Sequence, residues 1–117
     1  MKQIYSIVLE ANRRGIEKAK CGVLCKDVDF SSRDYIYKNG YGDCFGHSTG
    51  HSFGIDIHEL PSVSKFSEEP LKEGNVVTIE PGIYIPEKYG VRIEDTVLIL
   101  KNETIVLSKS PKNLIEI

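Results

Sequence analysis

The chain has 117 residues, of which 40% are hydrophobic and 27% charged, with a formal net charge of -2. That suits one domain of ordinary soluble composition, gives nucleic acid or an acidic membrane no electrostatic footing, and leaves no apolar run long enough to span a bilayer. The N-terminus lacks the apolar core of a signal peptide, so a cytoplasmic location is expected.

Residues from Lys2 to Lys20 read as a helix, with Ile4, Val8, Ala11, Gly15 and Ala19 recurring every three to four positions and Ile7 beside them. Cys21-Gly22 ends it. A second helix is expected from about Lys26 to Lys38, where Val28, Ser32, Tyr35 and Ile36 give a weaker stripe blunted by Ser31 and Ser32. Asn39-Gly40 is its stop, since both residues tolerate a left-handed backbone. The three cysteines, Cys21, Cys25 and Cys44, are an odd count without zinc-ribbon spacing and read as reduced, partly buried thiols.

From Tyr41 to Glu59 the chain is glycine-rich and reads as irregular, followed by a loop to Glu69-Pro70 and a turn at Leu71 to Asn75. Val76 to Glu80 reads as a strand ending in a carboxylate, and Ile83 to Ile85 resumes it after Pro81-Gly82. Glu87 to Gly90 turns. Val91 to Glu94 then alternates with period two, so that Val91 and Ile93 share one face and Arg92 and Glu94 the other. Thr96 to Leu100 and Thr104 to Leu107 form a hairpin around Lys101-Asn102-Glu103. Tyr84 and Tyr89 are candidates for lining a pocket but read first as ordinary sheet tyrosines. Helices before strands argue for an α+β fold.

All three histidines, His47, His51 and His58, fall within one glycine-interrupted stretch. His58-Glu59-Leu60-Pro61 is not a helical two-histidine zinc motif, because no second histidine follows one turn later and Pro61 stops a helix. Imidazole and carboxylate together suit a hard or borderline divalent ion, so His51, Glu80 and Glu94 on neighbouring strands form a three-ligand candidate. The pattern equally allows exposed sheet carboxylates and loop histidines satisfied by backbone.

Gly46 to Glu59, Thr78 to Tyr84 and Gly90 to Thr96 closely resemble three successive signatures of the pita-bread (creatinase/aminopeptidase P) metallopeptidases. The match is to the Xaa-Pro aminopeptidase and Xaa-Pro dipeptidase (prolidase) branch rather than to methionine aminopeptidase. The resemblance implies two helices followed by a curved antiparallel sheet, with residues 1–117 as the C-terminal half of a catalytic domain. It implies His51, Glu80 and Glu94 as metal ligands, Glu80 also as proton shuttle, and His58 as a non-ligand histidine that hydrogen-bonds the substrate. It further implies His47 as a second pocket histidine near the scissile bond or the proline ring, and Arg92 behind an acidic ligand. The implied cofactor is a divalent metal, manganese before cobalt or zinc, with up to two ions in the family site. The implied substrate is a peptide or dipeptide with proline in second position.

The family pattern also needs two aspartate ligands N-terminal to the matched region, and no aspartate of this chain matches them. The activity is therefore expected to be impaired, and the exposed face of a half-domain is expected to drive homo-oligomer formation. The alternative is a non-catalytic peptide- or protein-binding module of the same descent. Retention of His51, Glu80 and Glu94 argues against it, and against a metal-free creatinase-like hydrolase.

Overall fold

The computed structural model describes residues 2–53, 62–107 and 114–116. Helix α1 runs Lys2–Lys18 and α2 runs Cys25–Lys38, each within two residues of the sequence reading. Asn39 caps α2 and Gly40 follows at φ +90°, the left-handed turn expected there. The stripe Ile4, Ile7, Val8, Ala11 and Ala19 is buried throughout. Ser32 does not blunt the face of α2 but makes the helix crossing possible. It is fully buried, its hydroxyl donates to Ala11 O at 2.7 Å, and it leaves no room for a side chain at Gly15.

On the rim of α1, Glu10 accepts hydrogen bonds from Arg13 and Arg14 at 2.7–2.8 Å. The Arg13 hydrogen bonds first, then those of Arg14, bring its carboxyl down to about 2 from an ordinary 4.5. A depressed carboxylate stabilises the fold above its unfolded value and loses that contribution as pH falls through its folded value. Glu10→Gln should therefore cost under about 1 kcal/mol near neutrality, the scale of a partly exposed pair. Urea midpoints of the two proteins should converge as the pH drops from about 4.5 to about 2. A gap that persists at the acid end would rule the clasp out.

The strands form two ladders. The larger has the order β2-β1-β3-β6-β7, from Ser62–Val63, Gly50–Phe53, Val76–Ile79, Asp95–Ile99 and Thr104–Val106. The smaller has the order β4-β5-β8, from Gly82–Ile85, Tyr89–Arg92 and Leu114–Glu116. All the pairings are antiparallel. Three strands depart from the sequence reading. β1 lies in the stretch read as irregular, β2 in the loop after it, and β8 beyond the last expected strand. β1 and β2 are too short and glycine- or serine-rich to carry a period-two signal; β1 exists because β3 supplies an edge to pair with, and β2 because β1 then supplies the next.

Each ladder covers its own core. One cluster joins Ile4, Ile7, Val8, Ala11 and Ile36 of the helices to Ile83, Val91 and Ile93. The other joins Ala19, Cys25 and Val28 to Val77, Ile79, Val97 and Ile99. Full burial of each such side chain contributes roughly 1.5–3 kcal/mol. The seam between the clusters is where the chain passes from one ladder to the other.

Candidate metal centre

Two bends cross that seam. β3 continues into β4 through Glu80-Pro81, and β5 into β6 through Ile93-Glu94. The pairing Ile79 with Asp95 on one side and Gly82 with Arg92 on the other keeps one offset. Glu80 therefore stands opposite Glu94, and Pro81 opposite Ile93, whose amide donates to Pro81 O at 3.2 Å. Ile79 and Ile93 point into the core, so both carboxylates take the opposite face. Like charges set across a strand pair destabilise it unless a cation stands between them.

His51 reaches the same face from β1. A Cβ on Gly50 would lie 1.7 Å from Thr78 O, so only glycine lets β1 lie this close to β3. The His51 amide donates to the buried Thr78 hydroxyl at 2.9 Å, and the Glu80 amide donates to Thr49 O at 2.5 Å. His51 Nε2 ends 3.6 Å from Glu80 Oε2. The cleft so formed is also lined by His47, Ser62 and Arg92. Arg92 Nε lies 3.8 Å from Glu94 Oε1.

Thr78→Val keeps the shape of that side chain and removes its oxygen. It should cost about 1–3 kcal/mol by removing the hydroxyl that accepts from the His51 amide. In nitrogen-15 NMR spectra the His51 amide resonance should move more than those of Val76 or Val97. Unmoved His51 resonances would separate the hydroxyl from the placement of the histidine.

His47 is oriented from behind. Its Nδ1 lies 2.7 Å from Ser48 O, which can only accept, so Nδ1 carries a proton. In the neutral ring Nε2 then accepts the Tyr84 hydroxyl at 3.1 Å. Tyr84 is thus no ordinary sheet tyrosine, whereas Tyr89 packs against the core as read. Burial pushes the Tyr84 phenol up; Arg92 opposes this, and the nearby Glu80 and Glu94 carboxylates add to the rise.

The loop bearing His47 is tied to α2 by a buried pair. Asp29, fully buried, accepts both Nε and Nη2 of Arg33 at 2.8 and 3.0 Å, together with the Thr49 amide and hydroxyl at 3.1 and 2.7 Å. Arg33 goes on to donate to Phe45 O and His47 O, its guanidinium 4.3 Å above the Phe45 ring. The sequence does not single out Asp29. The four-residue spacing from Asp29 to Arg33 was the available signal, but nothing local said that the pair is buried.

The donors suit a divalent ion in type and, for one pair, in separation. Two atoms each about 2.1 Å from one ion are held apart by roughly the His51–Glu80 distance. Among the described residues, no three of the histidine, cysteine, aspartate and glutamate side chains meet in one cluster. Glu94 stands opposite Glu80 by the register of the two ladders, and its carboxylate lies 3.8 Å from Arg92 Nε. His58 lies outside the described residues.

Residues 1–101 match the model of metallopeptidase family M24. The chain is 52% identical over 114 residues to an Xaa-Pro dipeptidase of Pyrococcus horikoshii, covering 97% of this chain and 32% of that protein. It is 53% identical to the Xaa-Pro dipeptidase of Pyrococcus furiosus over 97% of this chain and 33% of that one. The crystal structure of the Pyrococcus horikoshii prolidase superposes with a TM-score of 0.89 at 52% identity, over 97% of this chain and 33% of the other. An X-Pro aminopeptidase from Thermotoga maritima superposes at 0.88 with 43% identity, over 96% of this chain and 32% of the other. The chain spans about a third of the length of each of these relatives.

Proposed function

The chain belongs to metallopeptidase family M24, and from that premise we propose that it carries the histidine–glutamate part of a site that hydrolyses the Xaa-Pro bond at a peptide N-terminus or in a dipeptide. The observation that carries this reading is the opposition of Glu80 and Glu94 across two bent strands, with His51 3.6 Å from Glu80. Such a set is stable when a cation is shared among its members. The proposed ligands are His51, Glu80 and Glu94, and the proposed ion is manganese, with cobalt or zinc as substitutes.

A bound divalent ion lowers the pKa of a water and polarises the peptide carbonyl. Around it the chain's own groups divide the work. Glu80 takes the proton of the attacking water at its carboxylate and delivers it to the departing proline nitrogen. His47, with Nδ1 fixed by Ser48 and Nε2 by Tyr84, presents a rigid ring to the substrate. His58 hydrogen-bonds the oxygen on which charge develops. Arg92 holds Glu94 in place. The products are an N-terminal amino acid and a proline-led remainder.

Two aspartate ligands of the family pattern have no counterpart here. We infer that this chain alone holds one ion and turns over weakly. Dialysis against manganese followed by metal analysis should give about one ion per chain, a number set by three donors leaving open water positions. Hydrolysis of a Xaa-Pro dipeptide should be metal-dependent and lost in His51→Ala. A chain that retains no ion, or whose hydrolysis survives that substitution, overturns the reading.

We also propose self-association and a cytoplasmic location. Ile105 and Val106 of β7, an edge strand of the larger ladder, and Leu107 just after it are exposed, and exposed apolar edges pair with one another. Light scattering should give a mass above the monomer, and a clean monomer at high concentration would refute this. All three cysteines are free thiols, in keeping with a reducing compartment.

A further inference from the structure

We propose that Asn12 is a positioning residue that fixes the spacing of the two opposed carboxylates; this rests on the reading of Glu80 and Glu94 as ligands. Asn12 sits in the interior of α1, 3% exposed. Asparagine is a poorer helix former than the alanine beside it, and a buried amide must find partners. Its reason for being there is tertiary. The side-chain nitrogen donates to Ile79 O at 3.1 Å and to Ile93 O at 3.3 Å.

Those two carbonyls belong to the residues immediately before Glu80 and Glu94. They lie at the two bends and nowhere else, and one NH2 group spans both. The peptide that carries Ile79 O also carries the Glu80 amide, which donates to Thr49 O on the opposite side. That peptide plane is therefore held at both ends. Residue Ile93 is tied on both of its peptides, to Pro81 O through its amide and to Asn12 through its carbonyl. Two like charges placed across from each other push their strands apart, and a single amide bonded to both backbones resists that push from the helix side. No other side chain type combines two donor hydrogens on one short, planar group with a length that fits beneath both strands.

The test uses Asn12→Leu, which keeps the branched shape and heavy-atom count with bulkier methyl ends and removes both donors. Val8→Ala, a fully buried position one turn earlier with no such carbonyl partners, is the control for stability loss alone. In metal-free protein, the carboxyl carbon resonances of Glu80 and Glu94 should shift in Asn12→Leu and stay in place in Val8→Ala. Cobalt titration followed by visible absorption should then give an affinity about 10- to 100-fold weaker in Asn12→Leu, the range for groups that orient ligands, and near wild type in the control. Asn12→Gln, which keeps the amide, should recover part of the loss. If Asn12→Leu fails to fold, Asn12→Ser takes its place, with a hydroxyl that cannot span both carbonyls. Unmoved glutamate resonances, or equal cobalt losses in Asn12→Leu and Val8→Ala, overturn the clamp. A wild-type chain that binds no cobalt overturns the ligand reading itself, and with it the role given to Asn12.

Discussion

Glu80→Gln is expected to reduce divalent-metal affinity by at least about a hundredfold, beyond the loss typical of residues that only orient ligands. The substitution changes no volume. It replaces an anionic oxygen with a neutral amide in the one side chain that lies both within 3.6 Å of His51 and across from Glu94. The apo fold should gain slightly, because one of two facing charges is gone. Stability in the presence of ligand should show the opposite. A wild-type chain at a hundred times its dissociation constant gains about 2.7 kcal/mol by mass action, and the variant should gain almost none. Thermal melts of both proteins with and without manganese would read this directly. Equal manganese-induced shifts would remove Glu80 from the site.

The largest loss of stability should come from Asp29→Ala. The substitution strands the Arg33 guanidinium in a half-buried position and leaves the Thr49 amide and hydroxyl without their acceptor. Removing one partner of a buried pair costs about 3 to 5 kcal/mol, mostly as the penalty of the charge left behind. Thr49 O receives the Glu80 amide, and Arg33 holds His47 O, so the damage should spread to both sides of the cleft. Urea unfolding would measure the loss. A change below about 1 kcal/mol, the worth of a surface pair, would mean that Asp29 does not anchor the loop.

The helices were legible because α1 repeats its apolar residues at the helical period and α2 ends on Asn39-Gly40. The β3 and β5–β6 strands were legible because Val, Ile and Thr alternate or run together there. The opposition of Glu80 and Glu94 was half legible: each ended an apolar run, but only the common register of two ladders places one across from the other. The remaining gaps have one physical cause. β1, Ser32, Asn12, Asp29 and Tyr84 owe their positions to partners far away in the chain, and a local pattern carries no record of those partners. Ser32 and Asn12 even run against their own helices' preferences, and they are the residues where one element is fastened to another.

The unbroken offset through the two bends has a consequence for how this chain can vary. Insert a single residue between Tyr89 and Asp95, and the stretch must either bulge or slip its pairing by one; a slip that carries Glu94 turns it to the face now filled by Ile93. An acid would then be buried against isoleucine and valine, and an isoleucine would face the cleft. The turn beyond Ile85 can lengthen or change its composition without harm, but the short stretch between the two ladders cannot. For this segment, chain length is as strict a requirement as the identity of the glutamate.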